Sequence, residues 1–334
     1  MVRMKDIAEH FGLSVSTVSR ILSGKGRVSE ETAEKVLSYA KSVDFYPNIA
    51  AQQLKENRTE QVAVVVPDIG IEFYARLYEE IDSSLKMFGK SAILVNVGRA
   101  DVDELSYINL LKSHAVDSMV IATRGSASYA GISESLLRRI VFVDNWPRDC
   151  DACFYVGSDN VNSARMSVLL ASKVGYEHPI MLASCIQESS AIERIEGFRL
   201  GLETFDIKRG EEFVYGIAPT LGDSYQLTMK LLRSANRPDC IIAHNNVMGY
   251  GAVKAVRDSS LKVSEEVGII CFDHIDRYGI CQPTLTTLNQ SVPELARAIC
   301  RLTAEQANEM VDFREIVVNT ELVKGETFRE RKVL

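Results

Sequence analysis

The sequence predicts a two-lobed α/β body carrying a small all-α helix-turn-helix domain at its N-terminus. Three observations point there. Residues 4–20 show helical apolar spacing interrupted by one glycine. From Gln61 onward, short apolar runs alternate with amphipathic stretches. That second part is roughly 270 residues long, too much for one ordinary core, so two α/β lobes are expected.

Met4, Ile7, Ala8 and Phe11 recur at helical spacing and give one apolar face. Gly12 breaks that helix, and Leu13 follows as a core plug. Ser14 is placed to cap a second helix. In it Val18, Ile21 and Leu22 face inward, whereas Val15, Ser16, Ser19 and Arg20 point away. Two short helices joined by a glycine turn can lay the second in the DNA major groove. Ser29 opens a third helix, with Glu30 and Glu31 where the helix dipole favours negative charge. Ala33, Val36, Leu37 and Ala40 form its expected buried stripe, and Phe45 and Tyr46 finish the mini-core.

In the body, the expected strands are 62–66, 92–97, 118–122, 140–143, 180–183, 240–243 and 267–272. Candidate helices are 73–88, 160–174, 192–204, 224–232 and 249–257. Strands that are apolar throughout imply parallel sheets covered on both faces.

The net charge of −7 divides unevenly. Residues 1–27 hold Arg3, Lys5, Arg20, Lys25 and Arg27 against Asp6 and Glu9, which is +3 and leaves −10 for the rest. A basic cap on an acidic body confines phosphate attraction to one end. The seven cysteines are scattered and odd in number, which argues against a disulfide framework. Cys150-Asp151-Ala152-Cys153 has no second pair to complete a zinc site, so loop and core thiols are expected, with no metal and no cofactor. No run is long enough for a membrane span and no signal-peptide layout is present, so a cytoplasmic protein is expected.

The stretch K-D-I-A-E-H-F-G-L-S-V-S-T-V-S-R-I-L-S-G resembles the DNA-binding domain of the LacI/GalR repressors. The resemblance runs through the whole chain. It implies a headpiece over 1–47, a hinge over 48–60 and a type-I periplasmic-binding-protein-like core over 61–334. Within the core it implies an N-lobe of about 61–157 plus 286–314 and a C-lobe of about 158–285 plus 315–334.

The implied partner is operator DNA. Val15 and Ser16 would occupy the reading positions, with Arg20 pairing to guanine. Lys5, Thr17, Ser19, Lys25 and Arg27 suit phosphate. P-N-I-A-A-Q-Q-L resembles the hinge helix, so Asn48, Ala51 and Leu54 would reach the minor groove, Leu54 as an apolar wedge. Gln52 stands where many members carry arginine.

The second implied partner is a small carbohydrate-like effector between the lobes. Asp68, Phe73, Tyr74, Asp144 and Trp146 stand at strand ends and helix starts where such a cleft opens. A-I-E-R-I-E-G-F makes Arg194 the pocket arginine, N-N-V-M-G-Y-G-A makes Asn245 the pocket asparagine, and Asp273 matches the first aspartate of F-D-D. Asn246, Glu72 and His274 depart from the family pattern. Arg194 with Asn246 and His274 would suit a more anionic molecule, so the expected effector is a sugar, sugar acid or sugar phosphate. A nucleobase effector or a protein co-regulator is the alternative.

Without a leucine-heptad extension after Val323-Lys324-Gly325, a homodimer is expected. An enzyme is disfavoured: no nucleophile elbow, P-loop or dinucleotide fingerprint appears, and no catalytic residue is assigned. A solute receptor for transport would lack the headpiece and carry a signal peptide.

Overall fold

The computed structural model describes residues 2–22, 28–45, 59–98, 104–125, 127–150, 152–185, 188–207, 213–273, 282–306 and 312–330. The expected hinge helix, and with it Asn48, Ala51 and Leu54, lies outside the described residues, as do Lys25, Arg27, Tyr46 and His274. The chain divides into two compact units, Met1–Thr59 and Glu60–Leu334.

The first unit holds α1 (Met4–Phe11), α2 (Val15–Leu22) and α3 (Glu30–Ser42). Gly12 ends α1 at φ 64°, where a side chain would be strained, and its N–H bonds to the carbonyls of Ala8 and Glu9. Ser14 Oγ accepts from Thr17 N–H at 3.1 Å, and Ser29 Oγ accepts from Thr32 N–H at 3.3 Å, so both expected caps are present. Ile7, Ala8, Val18, Ile21, Val36 and Ala40 form the core. His10 stacks on Tyr39 with centroids 4.1 Å apart, pinning α1 to α3. One expectation fails. Leu37 is 46% exposed, because the stripe of α3 passes through Val36 and Ala40 and leaves position 37 outside it.

The second unit contains two six-stranded sheets among the described residues. Their strands are β1 (Gln61–Val66), β2 (Ser91–Asn96), β3 (Ser118–Ile121), β4 (Ile140–Val143), β5 (Phe154–Ser158), β6 (Pro179–Ser184), β7 (Val214–Ile217), β8 (Cys240–Ala243), β9 (Gly268–Phe272), β10 (Thr286–Gln290), β11 (Glu315–Val318) and β12 (Thr320–Val323). The first sheet runs β11-β5-β4-β3-β1-β2 and is parallel throughout. The second runs β12-β10-β9-β8-β6-β7, parallel except for β12 against β10. The two orders correspond strand for strand, so each lobe repeats the other's plan.

Helices α4 (Glu72–Lys86), α5 (Asn109–Lys112), α6 (Glu134–Leu137), α7 (Asn160–Lys173), α8 (Ser189–Thr204), α9 (Leu221–Leu232), α10 (Asn246–Asp258) and α11 (Val292–Glu305) complete the lobes. In the first sheet, Val62, Val64 and Val66 bury against α4 and α11, while Ala63 and Val65 face a second apolar layer. The second sheet is sandwiched likewise, with α9 and α10 on one side and α7 and α8 on the other. Strand β2 departs from the expectation of two-sided burial. It is an edge strand, and Ile93 and Leu94 are exposed at 38% and 36%.

The expected lobe boundaries need correction. Residues 286–290 pair with β9, Thr286 opposite Ile270, and so belong to the C-lobe. Residues 315–318 pair with β5, Glu315 opposite Tyr155, and so belong to the N-lobe. The chain therefore crosses between lobes after Ser158, after Gln290 and after Val318. Strand pairing, not the order of elements in the sequence, decides which lobe a segment joins.

Candidate functional site

On the first unit, Val15 is 45% exposed, and Ser16 and Arg20 are exposed beside it. Thr17 and Ser19 are half-buried. Ser14 Oγ lies 2.8 Å from both Ser16 Oγ and Thr17 Oγ1, so the cap residue also orders two of the expected contact hydroxyls. Lys5 stands on α1 with its ammonium 3.7 Å from Glu9. This pair is solvent-exposed and so holds the lysine only weakly.

On the second unit, the two lobes present buried polar groups at equivalent strand ends. Asp144 follows β4 and Asp273 follows β9, at φ 69° and 57°. Both carboxylates are thus set by a left-handed turn just beyond a buried strand. Asp144 is buried, and Tyr74 Oη donates to its Oδ2 at 2.8 Å. Asn145 Nδ2 donates to the same oxygen and Gln290 Nε2 to Oδ1, each at 3.2 Å. Burial raises the pKa of Asp144, and the negative charge of Asp273 adds to that. Burial, then Asp144, pushes the Tyr74 hydroxyl well above its usual value.

Across the cleft, Arg194 on α8 is 2% exposed. Its Nε donates to Asn160 Oδ1 at 2.9 Å, Nη1 to the His244 carbonyl at 2.7 Å and Nη2 to Asp273 Oδ2 at 3.1 Å. The guanidinium also lies 4.3 Å above the Phe272 ring. Helix packing makes this reach possible. A Cβ on Gly197 would come 2.0 Å from the Val161 carbonyl oxygen, so only glycine lets α8 lie this close to α7, which carries Asn160. His244 is buried beside this charge, and burial first, Arg194 second, drives its pKa well below the usual value. It is therefore neutral at physiological pH.

The remaining expected residues are placed differently. Asn245 caps α10, its Oδ1 accepting from Met248 N–H at 2.9 Å. Asp68 Oδ1 accepts from Gly70 N–H at 2.9 Å and shapes the turn after β1. Phe73 belongs to the N-lobe core, edge-on to Tyr74 with centroids 5.1 Å apart. Trp146 packs on Tyr155, and its backbone N–H donates to Ser189 Oγ across the lobe boundary at 2.7 Å. Among the described residues no group of three or more potential ligands could hold a metal ion.

Residues 3–48 match the family model described as bacterial regulatory proteins, lacI family, and residues 172–328 match a periplasmic binding protein-like domain. The chain belongs to the LacI/GalR family. It is a DNA-binding transcriptional regulator. Among its relatives, the HTH-type transcriptional regulator DegA of Bacillus subtilis is 27% identical over 87% of each chain. The ribose operon repressor of Halalkalibacterium halodurans is 26% identical over 98% of this chain and 97% of its own. A solved structure of the Lac repressor dimer bound to operator and the anti-inducer ONPF shares the fold, with a TM-score of 0.84 at 23% identity over 98% of each chain.

Four groups in this LacI/GalR core were not singled out from sequence. Gln290 and Asn160 hold Asp144 and Arg194 in place. Arg124 donates to the carbonyls of Pro67, at 2.9 Å, and Gly98, tying together the ends of β1 and β2. Glu188 precedes α8 at the lobe boundary. Gln290 and Asn160 carry no motif and are recognised only by their partners in space. Arg124 stands directly beyond β3 and Glu188 directly before α8, the two places a strand-end rule could have flagged.

Proposed function

We propose that this regulator is a homodimeric cytoplasmic repressor whose hold on operator DNA is set by a small polyhydroxylated effector bound between the lobes. The observation that carries this reading is the matched pair of carboxylates at equivalent strand ends, buried Asp144 and half-buried Asp273, with Tyr74 and Arg194 beside them. Carboxylates and amides of this kind bond the hydroxyls of a sugar, and their mutual hydrogen bonds keep the site organised before the ligand arrives. Asn245 adds an amide donor, and Asp68 and Trp146 are the groups beside it that complete the lining, Phe73 serving the core behind Tyr74. The name of one relative supports a sugar, the ribose operon repressor.

In the headpiece, Val15, Ser16 and Arg20 read base edges. Lys5, Thr17, Ser19, Lys25 and Arg27 meet phosphate, and Asn48, Ala51 and Leu54 enter the minor groove. Two-fold symmetry sets two headpieces on the halves of a near-palindrome. Effector binding closes the lobes and alters the spacing of the paired hinges. The coupling exists only if the effector binds the DNA-competent and DNA-incompetent states with different affinity. The site is read as binding rather than catalytic.

A gel shift on DNA upstream of the protein's own gene, with and without sugars, tests the proposal. A sugar should change the shift of the full chain. A chain truncated to residues 61–334 should lose DNA binding and keep its sugar-induced thermal stabilisation. Equal DNA affinity of the truncated and full chains would end this reading.

A further inference from the structure

Arg124 spans three strand ends of the N-lobe. It stands just beyond β3, and its Nη2 donates to the Pro67 carbonyl after β1, at 2.9 Å, and to the Gly98 carbonyl after β2. These are the carboxyl ends of parallel strands, where a cleft in such a fold opens. The guanidinium thus lies toward β1 and β2. Asp144 follows β4, on the other side of β3, so the cation and the cleft aspartate stand apart.

This charge has no carboxylate of its own. Arg124 is half-buried, and among the described residues none forms a salt bridge with its guanidinium. Arg194 differs, since its Nη2 meets Asp273 Oδ2 at 3.1 Å. Glu104 is already occupied: it accepts from Thr123 Oγ1, from Tyr129 Oη at 3.0 Å and from the backbone N–H of Arg124 at 3.3 Å. Glu188 feels the charge of Arg124, but burial first and Asp144 second push its carboxyl up to about 7, which makes it a weak counter-ion. Backbone carbonyls engage Nη2 and leave the donors of Nε and Nη1 unused. A ligand anion would meet these donors in charge-assisted hydrogen bonds, whereas a neutral sugar brings hydroxyls without the charge.

We propose that the effector is an anionic sugar, carrying a phosphate or carboxylate group that binds the Arg124 guanidinium, and that Arg124 selects it over the neutral parent. This rests on the reading of the cleft as the effector site. The sugar hydroxyls meet the carboxylates that follow β4 and β9, and the anion extends toward β1 and β2. Hydrogen bonds to charged groups discriminate by about ten- to a hundredfold.

Calorimetric titration of the full chain tests it. The probes are ribose, glucose, galactose and mannose, each beside the phosphate ester of its primary hydroxyl, and for the hexoses the uronic acid as well. One anionic form should bind about ten- to a hundredfold tighter than its parent, and the two arms tell phosphate from carboxylate. Arg124→Gln should bring that form and its parent to nearly equal affinity. Arg124→Lys, which keeps the charge, should retain part of the preference. The proposal is overturned if no anionic form outbinds its parent or if the preference survives Arg124→Gln. It is also overturned if that variant weakens both forms by the same factor, the mark of a purely structural role. Tight binding of a neutral sugar alone would end this proposal and keep the cleft reading. Failure of every sugar to bind or to alter the gel shift would end both.

Discussion

Gln290 donates to Asp144 across the lobe boundary, Nε2 to Oδ1 at 3.2 Å. Its Oε1 accepts from Ser158 Oγ at 2.7 Å. Ser158 ends β5 and Gln290 ends β10, so one side chain fastens two of the three lobe crossings to the cleft aspartate. Any shift of Asp144 on ligand binding is felt at the crossings directly. Gln290→Leu should lower stability by about 1–3 kcal/mol, because it leaves buried polar groups without partners. It should also shrink the effector-induced change in DNA affinity. Urea unfolding and DNA titrations with and without ligand measure the two effects, and an unchanged effector response would remove Gln290 from the coupling.

Gly197 sets the distance between α7 and α8. Gly197→Ala places a methyl against the Val161 backbone, where nothing flexible can yield. The helices must part, and Arg194 must lose its bond to Asn160. Overpacking of this kind costs about 1–3 kcal/mol. The loss of effector binding should exceed the loss of stability, as shown by comparing calorimetric affinity with the unfolding midpoint.

Glu188 makes stability depend on pH. Its folded-state pKa of about 7 lies above its ordinary value of 4.5. Between those values the native protein holds a proton that the unfolded chain has released, so stability falls as pH rises through this window and levels off above it. Buried Asp144, also raised, acts in the same sense. Glu188→Gln should flatten part of this slope and be more stable than the parent protein above neutrality. Parallel pH series of thermal midpoints for the two proteins would refute this if they coincide.

Arg20 is exposed in the last turn of α2. Arg20→Ala should abolish the preference for operator over random duplex while leaving weak, salt-sensitive binding to both. The headpiece should stay folded, since Ile7, Val18 and Val36 are untouched. Titration of both duplexes at fixed salt decides the matter: a retained preference excludes Arg20 from base reading.

Much of this architecture is written in local pattern. The headpiece helices follow from apolar spacing around Gly12, Ser14 and Ser29, and the central strands from uninterrupted aliphatic runs such as Val62–Val66. The missed strands lack that signature. Thr286–Gln290 is polar, Phe154–Ser158 is broken by Gly157, and Glu315–Val318 and Thr320–Val323 lie at sheet edges where one face meets water. Asp144, Arg194 and Asp273 were visible because strand ends and a local motif mark them. Gln290 and Asn160 were not, since their partners lie 146 and 34 residues away in the chain. Phe73 shows the opposite error: an aromatic at a helix start looks like a ligand platform, but its ring is core.

The three crossings have a consequence for how the molecule is made. Because β10 and β11 exchange lobes, a ribosome that has delivered 290 residues has left the first sheet without β11 and the second without β12. Neither half can close around its partner until the last segment emerges. Each sheet is thus completed only by the last strands to be made, and a chain ended before residue 315 would leave both sheets one edge strand short.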